Sequence, residues 1–307
     1  MGSHRPRLII LVRHGESVSN KDKTVNQHMP NHLIPLTENG WREAHHAGAH
    51  LLSLLNVDNN EVVKTLCDKY DHTSEDVKHL KQNYKRLDTD IDTKIAFYTS
   101  PYRRTRETLR ALLDVIDEYN EINCGLSYRL AEPYQPTGNK RSAHWSLKDF
   151  PHGFYKNEEF QQKTERQIKS SQQYIHYCVK DEPRIREQDF GNFQEVSAMR
   201  EVMNKRSHYG HFFFRFPQGE SAADVYDRCA TFQETLFRHT KPQSKGCDVV
   251  VLVTHGIYLR VFLMKWFRFT YEEFESFTNV PNGSLVVMEL DPEVDRYVLR
   301  TTLPKWC

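Results

Sequence analysis

The chain has 307 residues, 38% hydrophobic and 27% charged, the balance of a folded globular protein rather than a disordered one. No apolar run approaches the ~20 residues needed to cross a bilayer, which excludes an integral membrane segment. Lys+Arg 42 against Asp+Glu 41 leaves a net charge of +1, so no overall field draws in nucleic acid or anionic lipid, and any anion site must be a local cluster.

Met1-Gly2-Ser3-His4 reads as a cloning remnant and is set aside. Leu8–Val12 (LIILV) then predicts a strand buried on both faces, since it is apolar without alternation. Trp41, Ala44, Gly48, Leu51 and Leu55 recur every three or four residues and predict a helix with one core face. Residues 56–93 are charge-rich with helical propensity and read as an insertion. Ile95–Tyr98 (IAFY) is a second buried strand. Ser100-Pro101 supplies an N-cap and first-turn pair for a helix carrying Leu109, Leu112, Leu113 and Ile116. Residues 123–182 are polar with scattered aromatics (Tyr134, Trp145, Phe150, Phe154, Tyr155). They read as a second insertion and a candidate lid. Ala222, Val225, Cys229, Phe232 and Leu236 form a third helical stripe, and Val249–Val253 (VVVLV) a third buried strand. Leu285–Leu290, a turn at Asp291-Pro292, and Tyr297–Leu303 predict a hairpin of edge strands. The pattern is a single α/β domain over residues 5–306, a three-layer α/β/α sandwich with a mostly parallel central sheet. The six cysteines are dispersed, which predicts reduced thiols. His45, His46 and His50 share a helix and read as a solvated face rather than metal ligands. Trp266, Phe267 and Tyr271–Phe277 read as core packing, with a partner surface as the alternative.

Ionisable residues follow each buried strand. Arg13-His14-Gly15-Glu16 follows the first, Thr99-Ser100-Pro101 with Arg103, Arg104 and Arg106 the second, and Thr254-His255-Gly256 the third. In a parallel sheet the carboxyl ends share one edge, where ligands bind. Two histidines and at least two arginines therefore converge. Guanidinium forks match phosphate oxygens, and helix N-termini add N–H donors. A neutral imidazole among cations keeps its lone pair and is a competent nucleophile. Singly, each residue has an ordinary structural reading; the coincidence at three strand ends carries the argument.

Arg13-His14-Gly15-Glu16-Ser17 with Asn20, then Leu36-Thr37 with Gly40, resembles the opening of the histidine phosphatase superfamily, in the branch of cofactor-dependent phosphoglycerate mutases and fructose-2,6-bisphosphatases. Thr99–Thr108 resembles its Ser-Pro-x-x-Arg-Ala block, which places the pocket arginine at Arg104, with Thr105 where the family usually has Ala. Arg186–Gly191 resembles the block that holds the acid, at Glu187; Asp189 and Glu220 are the alternatives. Gly219-Glu220-Ser221 and Thr254-His255-Gly256 match the last two blocks. Residues 181–194, 209–228 and 265–284 are similar to broad-range acid phosphatases within the superfamily. The secreted acid-phosphatase branch fits poorly, since Ser17 and Gly256 stand where it has Arg and Asp.

The resemblance implies a phosphoglycerate mutase-like fold with both insertions forming a cap, and a phosphomonoesterase acting through a phosphohistidine. His14 is then the nucleophile and Glu187 the proton donor and acceptor. Arg13, Arg104, Asn20, His255 and Gly256 hold the phosphoryl group, and neither metal nor other cofactor takes part. The expected partner is a phosphorylated small molecule or phosphopeptide, not nucleic acid, and the expected location is the cytoplasm with the nucleus as a second compartment. The oligomeric state stays open. A phosphoglycerate-type mutase and a non-catalytic phospho-ligand module are the competing readings. Mutases commonly carry an Arg after the acid; here it is Gln188, and Lys205-Arg206 lies well downstream. Lys140-Arg141 with His144 and Trp145 is a further candidate for a substrate's distal charge.

Overall fold

The three continuous apolar runs are strands, and their lack of alternation has a direct cause. A computed structural model describes residues 5–55, 60–70, 94–124, 175–191, 196–239 and 247–306. Here β1 (Leu8–Arg13), β2 (Lys94–Thr99), β3 (His176–Asp181), β4 (Val249–Thr254), β5 (Leu285–Asp291) and β6 (Arg296–Leu299) form one sheet in the order β3-β2-β4-β1-β5-β6. The first four strands are parallel, β5 runs antiparallel to β1, and β6 antiparallel to β5. Leu8, Ile10 and Val12 join one core with Val249, Val251 and Val253. Ile9 and Leu11 join a second core on the opposite face with Val250 and Leu252. Each such side chain contributes roughly 1.5–3 kcal/mol on burial, so both faces demand apolar residues.

The helices that cover these faces among the described residues are α1 (Val18–Lys21), α2 (Glu38–Leu54), α3 (Asn60–Tyr70), α4 (Arg103–Cys124), α5 (Val196–Tyr209), α6 (Ala222–His239), α7 (Gly256–Phe267) and α8 (Tyr271–Ser276), with short 3-10 helices at Lys23–Gln27, Asn31–Leu33 and Pro183–Ile185. Ala47 and Leu51 of α2, Leu66 of α3, and Leu109, Leu112 and Ile116 of α4 close the first core. Val225, Cys229, Phe232 and Leu236 of α6 close the second with Leu259 and Phe262 of α7. The result is the expected α/β/α sandwich. No described helix is long and apolar enough to cross a membrane. Cys178, Cys229 and Cys247 are free thiols.

Four readings need correction. β5 is not an edge strand; it lies between β1 and β6, and only β6 is at the edge. The segment 123–182 ends in a strand of the central sheet, β3, which pairs with β2. The start of α4 moves from Pro101 to Arg103, because the Ser100 hydroxyl bonds His255 Nε2 at 2.8 Å and reaches the Tyr102 N–H only at 3.4 Å. The histidines of α2 are not a solvated face: His46 is buried, and His45 stacks on Tyr70 of α3 with ring centroids 5.2 Å apart. The aromatic segment near the C-terminus is core: Phe274 is buried and meets Phe212 edge-on at 5.2 Å. Residues 125–174, which include the candidate lid with Lys140, Arg141, His144 and Trp145, lie outside the described residues, as do 71–93.

One buried carboxyl makes the stability of this fold depend on pH. Asp117 of α4 accepts the Tyr177 hydroxyl of β3 at 2.8 Å. Burial first, and the neighbouring Asp114 charge next, raise its pKa from 3.8 to about 7. A folded-state pKa above the unfolded value favours folding fully below about pH 4, and that contribution is lost as pH rises through 7. Asp117→Asn keeps an acceptor for Tyr177 and cannot ionise. Denaturant titrations should show the variant little changed at pH 4 but more stable than wild type at pH 8, by on the order of 3 kcal/mol.

Candidate active site

Strand register brings the three ionisable segments to one edge. Arg13 pairs with Thr254, and Thr99 with both Val253 and Asp181. Beyond the strand ends, the His14 N–H donates to Thr254 O at 3.0 Å and the Ser100 N–H to Val253 O at 3.1 Å. His14, Ser100 and His255 therefore leave the sheet side by side. The first loop must also pass against the start of α2, and only glycines permit it. A Cβ on Gly15 would lie 2.2 Å from Gly40 O, and one on Gly40 2.0 Å from Glu16 O. The Gly15 N–H is pinned by Thr108 Oγ1 at 3.1 Å, and the Glu16 N–H by the buried Glu43 carboxylate at 2.6 Å.

The histidine so placed has one defined tautomer. His14 is buried, and its Nδ1 lies 2.7 Å from Gly15 O, which can only accept. Arg104 Nε, which can only donate, lies 3.2 Å from His14 Nε2. The proton is on Nδ1 and the lone pair on Nε2. Burial, then the charges of Arg104 and Arg13, hold its pKa well below the usual imidazole value. His255 meets His14 edge-on with centroids 5.2 Å apart. Its Nδ1 is buried with no hydrogen-bond partner, and burial followed by the Arg104 charge keeps it neutral as well.

Arg104 lies with its guanidinium 4.9 Å from the Tyr102 ring centroid and donates from Nη1 to Asn31 O at 2.7 Å. Burial lowers its pKa to about 10, which leaves it a cation. Arg13 Nη1 donates to Val280 O at 2.5 Å, while its Nε is buried without a partner. The other arginines of the second segment point elsewhere: Arg103 pairs with Glu107, and Arg106 with Asp181 at the end of β3. Thr105, the departure from the family pattern, donates its hydroxyl to Tyr102 O at 2.6 Å and tightens the turn before Arg104. Asn20 is at the exposed rim. Its Oδ1 accepts the Ser17 N–H at 2.9 Å and Asn282 Nδ2, which also donates to His14 O. Gly256 opens α7, and a Cβ there would collide with Asn279.

Glu187 is buried beside these cations. Burial raises its pKa, opposed first by Arg104 and also by Arg13. The two alternative acids are engaged elsewhere. Glu220 binds Arg186 Nη2 at 2.6 Å and Arg228 Nη2 at 3.0 Å, and accepts the Asp189 N–H. Asp189 is exposed and turned onto the Gly191 N–H at 2.8 Å. Gln188 is fully buried, with Nε2 donating to Glu220 O at 2.8 Å.

Several residues of the site escaped the sequence reading. Arg228 of α6 donates to Arg184 O at 2.6 Å, Arg186 O at 2.9 Å and Glu187 O at 3.1 Å, and so clamps the loop that carries the acid. Ser100, Tyr102 and Asn282 also contribute. Only the fold discloses them, because basic residues on helices look like a solvated face in sequence. Arg228→Met should lower kcat by roughly 10–100-fold with little change in KM, since small misplacements of a reacting group are this costly; steady-state kinetics on one ester decides it.

Comparison with known proteins agrees with this geometry. The family profile described as histidine phosphatase superfamily (branch 1) matches residues 161–302. The chain is 58% identical over 318 residues to the broad-range acid phosphatase DET1 of Saccharomyces cerevisiae, covering 99% of this chain and 93% of that one. It is 34% identical to the phosphoglycerate mutase-like protein AT74H of Arabidopsis thaliana, covering 93% of this chain and 74% of that one. Among solved structures, mycobacterial glucosyl-3-phosphoglycerate phosphatase superposes with a TM-score of 0.51 at 16% identity, over 98% of this chain and all of the other, a likeness of fold. With near full-length identity to an acid phosphatase and the strand-end cluster in place, the chain belongs to branch 1 of the histidine phosphatase superfamily and is a phosphoric monoester hydrolase.

Proposed function

We propose that this enzyme hydrolyses a broad range of phosphate monoesters in two steps, through a phosphohistidine on His14. The observation that carries the reading is the fixed tautomer of His14, with Nδ1–H on Gly15 O and the Nε2 lone pair facing Arg104. Nε2 attacks phosphorus as the ester P–O bond breaks, and the protonated Glu187 gives its proton to the leaving oxygen. Water then attacks the phosphohistidine, Glu187 takes a proton back, and phosphate leaves. Arg13, Arg104 and His255 hold the phosphoryl oxygens, with the Gly256 N–H at the mouth of α7 and Asn20 at the rim. The arginines neutralise charge in the transition state, so positioning and electrostatics supply the catalysis. EDTA should leave the rate unchanged.

The substrates are phosphorylated small molecules or phosphopeptides. The likeness to the yeast acid phosphatase supports this range and a fungal source. Hydrolysis is favoured over mutase action because Gln188 is neutral, cannot form a bidentate ionic pair and is fully buried. Coupled assays test the choice: phosphate should be released from several unrelated monoesters. Interconversion of 2- and 3-phosphoglycerate that exceeds hydrolysis and needs a bisphosphate primer would overturn it.

A further inference from the structure

Arg104 must be aimed as well as placed, because a guanidinium presents its N–H donors in a fixed planar fork. Its Nη1 donates to both oxygens of Asn31, the backbone O at 2.7 Å and Oδ1 at 3.0 Å, and its Nε donates to His14 Nε2 at 3.2 Å. Nη2 has no acceptor among the described residues. Both hydrogens of Nη1 are thus spent on one residue, and the edge left toward the nucleophile carries Nε and Nη2. The plane of the fork is set as well. The Tyr102 ring lies 4.9 Å from the guanidinium and meets His255 edge-on, with centroids 5.1 Å apart. Tyr102 is itself fixed, since its carbonyl accepts the Thr105 hydroxyl at 2.6 Å and the Thr105 and Arg106 N–H groups at 3.1 Å each. Asn31 is fixed too. It opens the 3-10 helix Asn31–Leu33 behind Pro30, whose carbonyl accepts the Leu33 N–H at 2.8 Å. Beyond that helix Ile34 is fully buried, and the Leu36 N–H donates to Glu107 Oε2 at 2.6 Å. Glu107 lies about one turn beyond Arg104 on α4, so α4 grips this segment at both ends.

We propose that Asn31 and Tyr102 are positioning residues that turn the Nε/Nη2 edge of Arg104 onto the phosphoryl group and hold it there while charge develops. This rests on the phosphatase reading and adds to it two residues that act through Arg104 rather than on the substrate. A fork presented edge-on donates two parallel hydrogen bonds to two oxygens of one phosphoryl group. Donors aimed in advance need no reorganisation as the transition state forms. Without the Asn31 acceptors and the Tyr102 ring, the guanidinium is free to turn toward Glu187, the carboxylate that acts on its charge most strongly. The loss then falls on the transition state more than on bound substrate.

The test measures kcat and KM on glycerol 3-phosphate and on p-nitrophenyl phosphate, together with inhibition by orthovanadate, which mimics the five-coordinate transition state. Asn31→Ala and Tyr102→Leu should each lower kcat/KM by about 10–100-fold, mainly through kcat and equally on both esters, since Arg104 grips the phosphoryl group and not the leaving oxygen. The inhibition constant for vanadate should rise by a similar factor, whereas a partly unfolded variant would lose kcat and bind vanadate as wild type does. Tyr102→Phe keeps the ring and should recover most of what Tyr102→Leu loses. In an Arg104→Met background Asn31→Ala should cost less than about threefold more, because the group it positions is gone. Equal losses from Asn31→Ala in the two backgrounds, unchanged vanadate inhibition, or a loss confined to the alkyl ester would overturn the assignment while leaving the phosphatase reading intact. If Tyr102→Leu fails to fold, Asn31→Ala decides alone, since Asn31 is only half-buried. Failure of wild type to release phosphate from either ester would instead overturn the phosphatase reading, and the positioning roles with it.

Discussion

His14→Ala is expected to lower kcat by at least about 10⁴-fold while the protein stays folded. The ring touches Arg104 and Gly15 by hydrogen bonds but belongs to neither apolar core. Its removal frees Arg104 Nε rather than opening an apolar cavity, so circular dichroism and the thermal midpoint should stay near wild type. The same geometry fixes which nitrogen carries phosphate. Nδ1 is committed to Gly15 O, so the covalent intermediate must form on Nε2. Acid-quenching is unsuitable for trapping it, because a phosphoramidate is acid-labile; denaturation in base during turnover should preserve the label, and mass spectrometry should place it on His14. Substantial activity in His14→Ala, or label on another residue, would remove the basis of the mechanism.

Glu187→Gln should cost about 10²–10⁴-fold on an alkyl phosphate and far less on a phenolic one, whose leaving group needs no proton. The pH profile of wild type follows from two opposite shifts. Burial raises the pKa of Glu187, so the acid stays protonated above the ordinary carboxylate range, and activity falls as pH climbs through that raised value. Burial and the arginines lower the pKa of His14, so the nucleophile stays neutral in mild acid, and activity falls only below that lowered value. The optimum therefore lies between the lowered value of His14 and the raised value of Glu187. In Glu187→Gln the alkaline limb should vanish or move; an unchanged limb would mean that another group donates the proton.

What the sequence disclosed has a physical pattern. β1, β2 and β4 were legible because burial on both faces forces continuous apolar runs, and the pocket was legible because its histidines and arginines directly follow those runs. β3 was not, because of its six residues only Val179 is deeply buried, so His176–Asp181 looks like the polar stretch before it. β5 was seen as a strand but misplaced, since nothing in its composition says that β1 is its neighbour. Asp189 and Glu220 could be set apart from Glu187 only by seeing Arg186 and Arg228 close on Glu220. Arg228 lies on a helix whose polar face is unremarkable in sequence, and the tertiary fold alone turns it onto the loop that carries Glu187.

The position of β4 between β1 and β2 has a consequence for synthesis on the ribosome. Of the described strands, β1 and β2 never pair with each other; β2 can take β3 on its far edge, but the edges of β1 and β2 that flank β4 wait for a strand that begins at Val249. Until then each presents an open edge, and His14 has no Thr254 carbonyl to anchor its backbone. The nascent chain thus cannot assemble a working pocket from its first 248 residues, and the loops to be closed are long, which slows folding. Premature phosphate chemistry by an unfinished chain is excluded by topology, and the price is a prolonged need to shield two apolar edges.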